Sequence, residues 1–184
     1  MIRADDDRRL LEGLRGSRES RNEALRDLFQ ETRASLFALA LRMTGRADLA
    51  DDAVQETFVD LLRAHSTFRG DARMTTWLYR IAVRAATRVA ARNRARSESL
   101  GAEPPSSLDD PAMRGEQRDG AARILRAIAS LPAPQRAVLA LSALEDLPQT
   151  EIARVLGLSP GTVYSRLHHA RERLREALAR SESR

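Results

Sequence analysis

The chain has 184 residues, with 31 basic and 26 acidic side chains, three His and no Cys, for a formal net charge of +5. That length holds one ordinary domain or two small ones, and the lack of Cys excludes disulfides, thiolate metal sites and Cys nucleophiles. Every basic residue is Arg, so the positive charge persists at any biological pH. A GC-rich coding bias accounts for Arg in place of Lys. The clustering of Arg within 80–96 and 166–180 calls for more than that bias and points to a partner such as nucleic acid. No segment approaches the ~20 apolar residues of a membrane span, and no apolar run follows Asp5-Asp6-Asp7-Arg8-Arg9. The expected location is cytoplasmic, with membrane attachment only through a membrane-held partner.

Leu10, Leu11 and Leu14 predict a short leading helix. From Asn22 to His65 the apolar residues recur at helical spacing, as Leu25, Leu28, Phe29, Leu36, Leu39, Ala40 and Met43, then Leu49, Val54, Phe58 and Leu61. Two helices broken near Thr44-Gly45 fit this pattern. A third, from about Met74 to about Arg96, is expected to bury Leu78, Ile81, Ala82, Ala85 and Val89. Residues 97–119 carry few large apolar groups and the pair Pro104-Pro105, which predicts a flexible linker. Helical periodicity resumes with Ile124, Leu125 and Ile128, stops at Leu131-Pro132-Ala133-Pro134, and resumes through Val138, Leu139 and Leu141. No period-two stretch supports a strand. The expected fold is all-α: two small helical domains, residues 1–96 and 120–184, joined by the linker 97–119.

The second domain ends in a helix-turn-helix. Glu151 to Leu156 predicts a short helix, Gly157 can take the left-handed conformation that ends it, Ser159 can cap the next helix, and Pro160 suits its first position. Ile152, Val155 and Leu156 are expected to face Leu158, Val163 and Leu167 across the turn. Thr162, Ser165, Arg166 and His169 would then point outward, as side chains that read a major groove must.

In the third helix Arg80, Arg84, Arg88, Arg92 and Arg96 form a strict four-residue repeat. Four residues turn a helix by about 400°, so the five make a slowly winding stripe whose neighbours repel. The helix has no acidic residue between Arg73 and Ser97, and binding to a polyanion would relieve the repulsion. The alternative is a solvated face relieved by acidic neighbours. Just upstream, Phe68, Trp77 and Tyr79 gather beside a Gly-containing loop in a chain that is 4% aromatic. Such aromatics hold unstacked bases, but Trp77 also falls one turn before Ile81, as a core anchor would.

Catalytic motifs are missing. Gly157-Leu-Ser-Pro-Gly161 matches a hydrolase nucleophile elbow by pattern alone: the residue after Ser159 is Pro160, which has no N–H for an oxyanion hole, and a helix rather than a strand precedes it. Without Lys there is no P-loop, and His65, His168 and His169 show no H-E-x-x-H or comparable metal spacing. No catalytic residue, metal ligand, cofactor or small-molecule substrate is expected, and the chain is not expected to be an enzyme.

Both motif sets, in this order, resemble the extracytoplasmic-function (ECF) class of bacterial sigma factors, group IV of the sigma-70 family. Ala50-Asp-Asp-Ala-Val-Gln-Glu-Thr-Phe58, Phe68-Arg-Gly-Asp71 and Thr76-Trp-Leu-Tyr-Arg-Ile-Ala82 look like region 2. Leu131-Pro132, Gln135 to Leu141, Glu151-Ile-Ala153, Leu156 to Val163 and Ser165-Arg-Leu167 look like region 4. The resemblance implies that Asp52, Gln55 and Glu56 bind a coiled coil of the largest subunit of core RNA polymerase. It implies that Arg69, Arg73, Thr76, Trp77, Arg80, Arg84 and Arg88 recognise and melt the minus-ten promoter element, and that Thr162, Ser165, Arg166, His169, Arg171 and Arg173 contact the minus-thirty-five element. It further implies promoter-specific transcription initiation for a stress or envelope-signal regulon under an anti-sigma partner. Arg84, Tyr164 and His169 depart from the family's usual Asn, basic residue and Arg, so the promoter read is not a copy of its relatives'. The competing reading is a helix-turn-helix repressor or activator that binds operator DNA without polymerase.

Overall fold

The structure, a computed structural model, describes residues 4–65, 68, 73–100, 115–144 and 147–182. Eight helices follow one another with no strand among the described residues: α1 (Ala4–Arg15), α2 (Arg18–Thr44), α3 (Ala47–Ala64), α4 (Met74–Leu100), α5 (Gly115–Ala129), α6 (Ala133–Ser142), α7 (Gln149–Leu156) and α8 (Pro160–Glu182).

α2 is the central element. Its buried residues, Ala24, Leu28, Thr32, Leu36, Leu39, Ala40 and Met43, step along the helix mostly by four, so the inward stripe winds and meets several neighbours. Leu28, Leu36 and Leu39 are wholly buried, each stabilising the fold by roughly 1.5–3 kcal/mol. Thr32 sits in the same stripe because its hydroxyl donates back to the Leu28 carbonyl at 2.6 Å. α2 ends at Gly45, whose φ of 75° and N–H to the Leu41 carbonyl close the helix where the sequence predicted the break. α3 begins without a side-chain cap. Instead Arg46 grips Asp48 through two hydrogen bonds of 3.0 and 2.5 Å, which holds the Asp48 carboxyl below its usual range and places an acid in the first turn.

The linker expectation for 97–119 needs correction at both ends. α4 runs on to Leu100, where Ser99 returns its hydroxyl to the Ala95 carbonyl, and α5 begins at Gly115. A scarcity of large apolar groups does not end a helix whose polar residues can face water; the two prolines lie at 104 and 105, and 101–114 fall outside the described residues. In the second half, α8 packs on α5, α6 and α7.

The halves are packed together, and their buried side chains form one continuous cluster. α2 touches α5 and α6, and α4 touches α7. Two arginines fasten this junction, each donating to a carbonyl in the last turn of a helix in the other half. Arg136 of α6 donates to the Met43 carbonyl of α2 at 2.8 Å and to Leu131 at 3.0 Å; Arg80 of α4 donates to the Arg154 carbonyl of α7 at 2.6 Å. A helix C-terminus offers unpaired carbonyls and partial negative charge, so a guanidinium is a fitting cap. Arg136 is 7% exposed, and burial, aided by nearby Arg94, lowers its pKa from the ordinary arginine value.

Candidate functional site

Asp52, Gln55, Val59 and Leu62 share one face of α3, at successive spacings of three, four and three residues. Asp52 and Gln55 are exposed, as are Val59 and Leu62 at 44% and 46%. Phe29, 40% exposed, extends the apolar strip from α2 by packing edge-on against Phe58 at 5.0 Å. Glu56 lies about 100° from Gln55 around the helix and faces α4 instead. Asp52 and Gln55 therefore stand on the outer face, whereas Glu56 is bound up in ion pairs. Val59 and Leu62 were not singled out from the sequence. Both fall out of phase with buried Ala50, Val54, Thr57 and Leu61, which was the available signal.

The arginine stripe of α4 is corrected in part. Arg88 pairs with Asp60 at 2.5 Å and with Glu56 at 3.5 Å, and Arg92 pairs with Glu56. The acids that relieve the repulsion come from α3 and not from α4 itself. Arg88 thus has a structural role among the minus-ten candidates. Arg84 is exposed, whereas Arg80 and Thr76 are turned to α7. Thr76 is 1% exposed and donates to Glu151 at 2.7 Å; Glu151 also holds Arg154 at 2.5 Å. Arg73 is exposed, and Arg69 lies outside the described residues, as does most of the loop before α4. Trp77 is half-buried with its ring 5.0 Å from that of buried Phe68, an anchoring contact. Tyr79 is held largely inside, and burial raises its phenol pKa despite a hydrogen bond with Ser35.

The helix-turn-helix forms as expected. Gly157 has φ 66°, and Leu158 N–H reaches the Ala153 carbonyl at 2.9 Å. Ser159 Oγ accepts the Thr162 N–H at 3.1 Å, so the serine of the apparent nucleophile elbow is a helix cap. Val163, Leu167 and Ala170 are buried and fix the inner face of α8. Ser165, His169, Arg171 and Arg173 are exposed on it, and Thr162 and Arg166 are half-buried. His168, His169 and Glu172 converge on the same outward side, although their spacing matches no H-E-x-x-H pattern.

One half carries an exposed amide, acid and apolar strip beside an arginine-bearing helix, and the other presents a helix-turn-helix. Together they define a bipartite helical protein of promoter recognition. Residues 28–96 match the family described as Sigma-70 region 2, and residues 121–174 the one described as Sigma-70, region 4. The ECF RNA polymerase sigma factor SigM of Mycobacterium tuberculosis is 35% identical over 159 residues, covering 84% of this chain and 77% of that protein. The RNA polymerase sigma-H factor of Pseudomonas aeruginosa is 32% identical over 154 residues, covering 78% and 80%. The solved structure of CnrH in complex with the cytosolic domain of CnrY superposes with a TM-score of 0.71 at 26% identity, over 94% of this chain and 97% of that one. The sigma factor RpoE in complex with the anti-sigma factor NepR from Bartonella quintana gives 0.64 at 27% identity, over 83% and 97%. The chain belongs to the ECF RNA polymerase sigma factors. Its function is accordingly to bind core RNA polymerase and direct promoter-specific transcription initiation. No helix among the described residues is long and apolar enough to cross a membrane.

Proposed function

We propose that residues 1–96 hold the polymerase-binding and minus-ten surfaces, that residues 120–184 read the minus-thirty-five element, and that the chain contributes no catalytic residue or cofactor to RNA synthesis. The observation that carries the first part is the exposed strip of Asp52, Gln55, Val59 and Leu62 on α3. Exposed apolar side chains flanked by an amide and a carboxylate suit a basic helical partner such as the polymerase coiled coil. Glu56 acts through α4, by holding Arg88 and Arg92 in place. For minus-ten DNA, Arg73 and Arg84 are exposed already, while Thr76 and Arg80 become available when α4 parts from α7. The ring of Trp77 supports that surface through Phe68, and Arg69, outside the described residues, is proposed as a further DNA contact.

On α8, Ser165 and His169 face outward for base edges, with Thr162 and Arg166 beside them, and Arg171 and Arg173 lie farther along for phosphates. Control falls to an anti-sigma partner, membrane-held or soluble, that favours the closed packing of the two halves; the Bartonella relative was solved in complex with an anti-sigma factor. Release would then serve a stress or envelope-signal regulon. Run-off transcription with purified core polymerase tests the reading. A promoter-specific transcript that requires the chain, and is lost with Gln55→Ala plus Val59→Asp, is expected. Tight duplex binding without polymerase and no specific transcript would instead make the chain an operator-binding regulator.

A further inference from the structure

α8 carries His168, His169 and Glu172 with one donor atom from each lying within 4.8 Å of the other two. His168 Nε2 stands 3.4 Å from Glu172 Oε1, and His169 Nδ1 stands 3.5 Å from Glu172 Oε2. Two donors bound tetrahedrally to an ion at about 2.0–2.1 Å are themselves about 3.3–3.4 Å apart, so each ring nitrogen stands at about that distance from one of the two carboxylate oxygens. The two imidazole rings meet edge-on at 5.5 Å, which lets each turn a nitrogen toward the carboxylate between them. The backbone beneath is fixed, since Val163, Leu167 and Ala170 are buried on the opposite side of the helix. We propose that His168, His169 and Glu172 form a surface site for a late first-row divalent ion of the nickel, copper or zinc kind.

The donor set decides the class of ion. Two imidazoles and a carboxylate suit these metals, whereas magnesium and calcium require mostly oxygen donors. Arg171 and Arg173 flank the site and oppose any cation held by charge alone, so binding must come from coordination to imidazole nitrogen. Three ligands from one helix leave the remaining positions to water, and the site is consequently open and exchangeable. An ion here would occupy the His169 ring that the functional reading offers to the minus-thirty-five groove. That consequence rests on the sigma reading; the site itself does not.

The test is calorimetric titration of the full chain with Ni²⁺ alone and Zn²⁺ alone, in a non-chelating buffer without DNA or polymerase. One ion per chain is expected. His168→Ala, His169→Ala and Glu172→Ala should each weaken binding by roughly tenfold or more, His65→Ala should leave it unchanged, and Mg²⁺ should give no heat of binding. All three ligands are exposed, and circular dichroism checks that the variants keep their helices. As a second readout, Co²⁺ should give a d–d absorption spectrum with the native chain that is absent from the double variant His168→Ala, His169→Ala. Equal affinity of the native chain and that double variant would overturn the site, as would no binding by the native chain. A chain that binds Ni²⁺ but fails in run-off transcription would keep the site and discard the functional reading.

Discussion

Glu151→Ala should open the molecule. The Glu151 carboxylate accepts from the Thr76 hydroxyl at 2.7 Å across the α4–α7 junction and steadies Arg154, whose carbonyl receives Arg80 at 2.6 Å. A hydrogen bond to a charged group contributes about 1.5–3 kcal/mol. Losing it shifts the open-to-closed ratio by roughly 10- to 150-fold, because 1.4 kcal/mol is a factor of ten. The junction between α2 and α5–α6, with Arg136 at its centre, is untouched and limits how far the halves separate. The chain has no Cys, so Cys introduced at exposed Asp51 and Glu176 can carry a dye pair free of competing thiols. Single-molecule energy transfer should show a larger low-transfer population in the Ala variant. Hydrogen exchange should quicken in α7, an eight-residue helix that depends on its packing. Glu151→Gln, which can still accept from Thr76 without the charge, should fall between. Transfer histograms and α7 exchange identical to the native chain would refute the argument that this contact closes the junction.

Glu56→Ala removes the acid shared by Arg88 and Arg92; each exposed pair is worth about 0.2–1 kcal/mol, so thermal unfolding should shift down by only a few degrees, and an unchanged Tm would show that the pairs are incidental. Val59→Asp, at a side chain 44% exposed, should leave Tm within a degree or two yet weaken association with core polymerase at least tenfold in a sedimentation or anisotropy assay. Gly157→Ala forces an L side chain to φ 66° and should cost about 1–2 kcal/mol in denaturant unfolding even though no atom crowds the added methyl. Asp48 is held below the normal carboxylate range by Arg46, so its contribution is present above the unfolded value and lost as pH falls through the folded one; amides in the first turn of α3 should exchange faster in that acid window, and Asp48→Asn should abolish the change.

The elements were legible because each had local punctuation. Gly45 ends α2, Pro132 precedes α6, and Gly157 with Ser159 makes the turn between α7 and α8, all from preferences that act within a few residues. What the sequence concealed depends on partners far along the chain. The repulsion predicted for the α4 arginines took no account of Glu56 and Asp60, some 28–36 residues away, and the minus-ten role implied for Thr76 took no account of Glu151, 75 residues on. Periodicity states which face of a helix is inward but not which charge lies opposite it. Glu172 belongs to no fixed metal motif, yet its i, i+4 spacing from His168 is itself sufficient to bring the two side chains together on a helix.

The all-arginine composition first read as coding bias also has a structural consequence. Arg136 reaches two carbonyls at once, Met43 at 2.8 Å and Leu131 at 3.0 Å, from a position 7% exposed. A planar guanidinium offers donors in fixed directions and is weakly hydrated, so it can be buried against a helix end at lower desolvation cost than an ammonium. Arg80 makes the corresponding contact at the end of α7. The same side-chain type can therefore serve opposed demands in one molecule. Guanidiniums turned inward cap helix ends and hold the halves together, while Arg73 just before α4, Arg84 on α4, and Arg171 and Arg173 on α8 are exposed. Arg80 is turned inward to α7, and the same donor is among those proposed for promoter DNA. Were Arg80 to contact promoter DNA as proposed, phosphate and the α7 carbonyl would compete for it, and that competition would link opening of the chain to occupation of the minus-ten surface.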